Sequence, residues 1–160
     1  MATRSNIGIL NSNNSVTSIY CHWDGYPEHN GRILSEHYNT DEKICELLAL
    51  GNLSILGEEL GVQRPFLNPF NFHSDFENYE LWEKKHEHMC LAYGRDRGEE
   101  DTDANWFENV ETWLKEVGEA YNYLWNGNEW LVQAQYHDNK NMMTLVEFNQ
   151  MVERERAEES

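Results

Sequence analysis

Apolar and polar residues alternate from Val16 to Trp23. Ile19, Cys21 and Trp23 fall on one side and Tyr20 and His22 on the other, the period of a half-buried strand. A second alternating run, Asn6 to Leu10, precedes it across the polar loop 11–15, so the two predict a β-hairpin. Asp24-Gly25 ends the strand, because glycine tolerates the positive φ of a tight turn. Pro27 then suits the first turn of a helix beginning near Glu28, whose apolar members are Ile33, Leu34 and Tyr38. The strand-to-helix junction from Tyr20 to Leu34 gathers aromatic, imidazole and carboxylate groups, and is the stretch around which the chain is organised.

Downstream, Thr40 has the form of an N-cap for a helix with Asp41 and Glu42 in its first turn, Ile44, Leu47 and Leu48 as its stripe, and Gly51 as its stop. A short helical turn is expected around 54–60. Residues 64–80 carry two prolines with Phe66, Phe70, Phe72 and Phe76, and predict an aromatic loop or insertion. Glu87 to Arg95 alternates as a strand, with Met89, Leu91 and Tyr93 on one face.

Trp106, Phe107, Val110, Trp113, Leu114 and Val117 recur at helical spacing up to Gly118, predicting a helix that covers a sheet. Around Asn126-Gly127, Tyr121–Trp125 and Glu129–Gln135 predict a second hairpin, with Tyr123 opposite Trp130 if the turn has two residues. Thr144 and Glu147 form a capping box for a C-terminal helix through about Arg156, with Leu145, Phe148, Met151 and Val152 as its apolar side. The elements show no βαβ alternation. They indicate a single α+β domain over 1–160, an antiparallel sheet of about five strands with helices packed on one face.

Charge changes the picture more than length does. The formal net charge is −17, which argues against direct contact with nucleic acid or an anionic membrane, since both are bound through clustered Lys and Arg. Hydrophobic residues at 39%, including six Trp, are too many for a disordered acidic chain. Cys21, Cys45 and Cys90 form no CxxC pair, the start lacks a secretion signal, and no apolar run approaches membrane-spanning length. An intracellular protein with reduced thiols is the expectation.

The acid is concentrated. Glu99, Glu100, Asp101, Asp103, Glu108, Glu111, Glu116 and Glu119 face only Lys115 within 99–120, so this segment predicts a strongly negative surface. Such a surface is either a solvated face or a site that meets a basic patch on a partner, as a nucleic-acid mimic does.

Candidate chemistry gathers at the junction. His22, Asp24 and His29 include metal-ligating types, but without a second cluster at ligand spacing no metal site is assigned. With no activated nucleophile beside His22, no catalytic residue and no cofactor are assigned either. Arg95 and Arg97, if their strand lies beside the junction, join His22, Trp23, Asp24, Tyr26 and His29 as guanidinium forks and aromatic faces suited to a nucleotide-like ligand. Pairing with neighbouring acids is the competing role for both arginines.

The blocks Tyr20-Cys21-His22-Trp23-Asp24-Gly25-Tyr26-Pro27-Glu28-His29, Ala49–Ser54 and Ala92-Tyr93-Gly94-Arg95-Asp96-Arg97-Gly98-Glu99 resemble those of an uncharacterised family of small acidic tailed-bacteriophage proteins. The ending Tyr123-Leu124-Trp125, with Gly127 and Trp130, is similar too, and 64–80 looks like an insertion relative to shorter members. The resemblance supplies a setting and no catalytic residues. It implies an accessory protein of the host cytoplasm that inhibits a host or defence protein with a basic surface, by class analogy with other small acidic phage proteins. A nucleotide-like ligand at the junction, bound or hydrolysed, is the alternative, and a structural role in the virion a third.

Overall fold

A computed structural model describes residues 2–63, 84 and 87–159. The aromatic segment expected at 64–80 lies outside the described residues. Among those described, eight strands form one mixed sheet, flanked by five α-helices.

The first hairpin forms as its alternation predicts: β1 (Ser5–Leu10) pairs antiparallel with β2 (Val16–Cys21), Ile7 opposite Ile19. A π-helical turn (Pro27–Gly31) with Pro27 in its first turn leads into α1 (Arg32–His37). In α2 (Asp41–Ala49), Thr40 Oγ1 accepts from the Lys43 N–H at 3.2 Å, which is the predicted cap. Residues 53–55 form β3 (Leu53–Ile55) where a helical turn was expected: Leu53 and Ser54 accept the N–H groups of His22 and Trp23 and so extend β2's ladder.

The expected 87–95 strand shrinks to β4 (Leu91–Ala92), followed by α3 (Tyr93–Arg97). Asp96 explains the change. Its buried carboxylate accepts the Ala92 N–H at 2.7 Å and folds the chain back into a helical turn, which Gly98 closes at φ +68°. The major helix is likewise shorter than its apolar spacing implied. Asn105–Phe107 is a strand, β5, paired with β2, and α4 (Val110–Val117) begins only after Asn109, whose side chain accepts the Thr112 N–H at 2.8 Å. Gly118 stops it as expected.

The second hairpin, β6 (Tyr121–Trp125) and β7 (Trp130–Ala134), is offset by two residues from the predicted register: Tyr123 faces Val132, and Trp125 faces Trp130. The Asn126 side chain accepts the N–H groups of both Asn128 and Glu129, making the turn four residues long. A last short strand, β8 (Met143–Thr144), joins β7 before α5 (Leu145–Glu159), where Thr144 and Glu147 make the predicted reciprocal cap.

The sheet order is β4-β3-β2-β1-β6-β7-β8, with β5 also on β2. The expected antiparallel sheet is instead mixed, because β1 pairs parallel with β6 and β2 with β3. Two-residue alternation records which face a side chain takes and carries no information on strand direction.

Helices also cover both faces, where one was expected. Ile7, Ile19, Cys21, Tyr123 and Val132 pack on one side against Ile33 and Leu34 of α1, Ile44 and Leu47 of α2, and Leu145 and Phe148 of α5. On the other side Val16 and Leu124 pack against Trp113 of α4, with Phe107 and Leu114 beside them. No helix among the described residues is long and apolar enough to cross a membrane.

Candidate functional site

The junction is built by the chain crossing the end of the sheet. Asp24 takes φ +56°, and Gly25 then donates its N–H to Thr3 O at 2.8 Å. A Cβ at Gly25 would stand 2.8 Å from both Ser5 Cβ and Thr3 O, so the close approach requires glycine. Tyr123 adds a hydroxyl bond of 2.6 Å to the Gly25 carbonyl.

The organising side chain is Asn30, which is fully buried. Its amide nitrogen donates to Ser5 Oγ, the Trp23 carbonyl and Cys21 Sγ, at 3.3, 3.3 and 3.4 Å, and so ties the π turn to β1 and to the end of β2. Burial pushes the Cys21 thiol up to about 12, so it stays protonated and unreactive at neutral pH. Asn30 is the residue that sequence reading passed over; its only signal was a polar side chain one turn into a helix that otherwise faces the core.

The expected ligand residues fall into small groups. His22 Nδ1 sits 2.6 Å from the Tyr20 hydroxyl and the His22 ring meets Trp23 edge-on at 4.8 Å between centroids. Burial raises the Tyr20 pKa, with a partly offsetting pull from Arg4. Asp24 accepts a long 3.4 Å bond from the Tyr26 hydroxyl, and His29 Nδ1 lies 2.9 Å from Asn30 Oδ1. Trp23 and Tyr26 remain 43% and 37% exposed. Among the described residues, no group of three His, Cys, Asp or Glu is placed to hold a metal ion.

Arg95 and Arg97 leave the expected strand for helix α3. Arg95 lies across the loop before it: Nε and Nη2 reach Asp96 at 3.1 and 3.2 Å, Nη1 donates to Leu60 O at 2.8 Å, and Nη2 donates to Cys90 O at 2.9 Å. Arg97 stacks over Tyr93, 5.2 Å from the ring centroid. Tyr93 is joined to the junction through one residue, Asn52, whose carbonyl accepts the Tyr93 N–H and whose side chain accepts the Tyr20 N–H at 3.0 Å.

The acidic segment has a different character. Gly98 releases the chain from α3, Asp101 takes φ +59°, and Asn52 donates its N–H to Thr102 O at 2.7 Å, anchoring the loop against the end of α2. Glu99, Glu100, Asp101 and Asp103 are exposed before β5, and Glu108 and Glu111 are exposed after it. None of the six forms an ion pair among the described residues.

Between the two acidic groups stands Trp106, 62% exposed. Its helical spacing had assigned it to the core. In β5 it points instead to the opposite face from its neighbour Phe107, which packs toward Trp113. Comparisons with protein-family models, curated proteins and solved structures found no match.

Proposed function

We propose that this chain is a bacteriophage accessory protein that acts in the host cytoplasm by binding, and that it inhibits a host or defence protein through the acidic surface at Glu99, Glu100, Asp101, Asp103, Glu108 and Glu111. The observation that carries the reading is the arrangement around β5: exposed carboxylates without ion-pair partners among the described residues stand at both ends of a short strand whose tryptophan faces solvent. Charge of one sign speeds encounter with a basic surface, and an exposed aromatic at its centre supplies the desolvated contact that charge does not. A partner that normally binds nucleic acid has the required basic patch. The resemblance to small acidic phage proteins supplies the biological setting.

The test is capture of the tagged protein from infected host cells, with mass spectrometry of what it retains, beside a Glu108→Lys/Glu111→Lys variant. A host protein retained in stoichiometric amount by the parent and lost by the variant is the expected result. Equal retention by both would refute the reading.

A second reading places a nucleotide-like ligand at the junction. The exposed faces of Trp23 and Tyr26 beside His22 and His29 favour it, while Arg95 is held by Asp96 and three backbone carbonyls. A ligand present at a hundred times its Kd would stabilise the protein by about 2.7 kcal/mol, so a thermal-shift screen against nucleotides that moves nothing removes this reading.

A further inference from the structure

Among the described residues β5 is an edge strand with a specific polarity. On β2, the Tyr20 N–H reaches the Asn52 side chain and the His22 N–H reaches Leu53 O, both on the side away from β1. Main-chain groups of alternate residues point to alternate sides of a strand, so Val16 and Ser18 direct theirs to the same side, at Phe107 and Asn105. Trp106, between those two, therefore turns its N–H and C=O away from β2. Among the described residues no backbone hydrogen bond or further strand takes them up. An unpaired edge is a template for another strand, and proteins usually blunt it with lysine, proline or a covering loop. This edge carries none of these among the described residues; it carries acid at both ends and an exposed indole.

We propose that the β5 edge takes up an extended, cationic segment of a partner protein as an added strand. The segment's main chain pairs with Trp106, one Lys or Arg lies over the Trp106 ring, and flanking cations meet Glu99 to Asp103 on one side and Glu108 and Glu111 on the other. This rests on the acidic-surface reading and narrows the partner from a folded basic patch to an extended basic tail or linker. Main-chain pairing gives such a complex its geometry, and the cation over the ring and the carboxylates select the sequence.

Two synthetic octapeptides of alternating Lys and Val, one of them N-methylated at alternate residues so that it keeps its charge and loses one row of N–H donors, provide the probe. Each is titrated into the isotopically labelled full chain by NMR and calorimetry. The unmodified peptide is expected to shift the amides of Asn105, Trp106 and Phe107 and the Trp106 indole N–H. N-methylation and Trp106→Ala are each expected to weaken binding tenfold or more; Trp106 is exposed, so its loss leaves the fold intact. Equal affinity for the two peptides, or shifts confined to the acidic loops, overturns strand addition. If both peptides bind equally and Glu108→Lys/Glu111→Lys abolishes both, strand addition fails while the acidic-surface reading stands; if the charge-reversed protein also captures its host partner undiminished, both fail.

Discussion

Trp113 donates its indole N–H to Asn6 Oδ1 at 2.9 Å and lies 3.0 Å from Ser18 Oγ, so one buried ring on α4 is hydrogen-bonded to both strands of the first hairpin. Replacing it by phenylalanine keeps an aromatic in the core and removes the donor those two buried side chains share. A buried acceptor left unsatisfied costs about 1–3 kcal/mol. Trp113→Phe is expected to lower stability by that amount in urea denaturation with the m-value unchanged; a loss below about 0.5 kcal/mol would mean that water or rotation re-satisfies Asn6.

Asn30→Ala removes the donor that ties the π turn to Ser5, Cys21 and the Trp23 carbonyl. The loss of the amide donor from buried Ser5 and Cys21 and the new void both destabilise, by about 2–3 kcal/mol together. Hydrogen exchange is expected to quicken first at Tyr26 to Asn30, because the turn loses its tether before the sheet does. Uniform quickening across β1 and β2 would count against Asn30 as the local anchor.

Gly51 lies at φ +77°, and a Cβ there would collide with the Thr102 carbonyl. Strain at such a position is on the order of 1–3 kcal/mol, and the clash is with backbone that cannot rotate away. Gly51→Ala is expected to lower Tm and also to displace the acidic loop, visible as shifted amides from Glu99 to Asp103. A variant with reduced Tm and unmoved loop amides would show that the loop is held elsewhere.

His137 and Glu155 join the end of β7 to α5, with Nε2 at 3.0 and 3.1 Å from the two carboxylate oxygens. Donating a hydrogen bond to Glu155 raises the His137 pKa above its ordinary 6.5, and burial opposes it more weakly. The other charges that face the ring are few: Asp138 adds to the rise. A folded-state pKa above the unfolded one means the contribution is complete below about pH 6.5 and is lost as pH rises through the folded value. Wild type is therefore expected to exceed Glu155→Gln in stability at pH 5.5, with the gap closing by pH 8.5. A gap that widens with pH would reverse the assignment.

Legibility followed the range of the interactions. Thr40, Asn109 and Gly118 act on backbone within one turn, and of these the sequence reading placed Thr40 and Gly118 correctly. Asn109 went unread because Trp106 and Phe107 continue the helical spacing upstream of it, and only pairing with Val16 to Ser18 makes them a strand. Asp96 acts on Ala92 from four residues away, too local for periodicity and too specific for composition. The register of the second hairpin turned on whether Asn126 would bond forward to Asn128 and Glu129, which a dipeptide signal does not resolve. The acidic residues were legible as exposed positions because charge needs no fold to be exposed. Trp106 was not, since its face depends on the strand that accepts it.

The parallel pairing of β1 with β6 sets an order of events on the ribosome. Ser5 to Leu10 emerge early and can close a hairpin with Val16 to Cys21, but the other edge of β1 finds its partner only when Tyr121 to Trp125 have left the exit tunnel. For most of its synthesis the nascent chain holds a hairpin whose Ile7 side lacks both α5 and the second hairpin. The central seam of the finished sheet thus stays open until late in synthesis. A chain stalled before Tyr121 would hold β1 to β5 and lack β6, β7 and β8, the whole flank beyond β1.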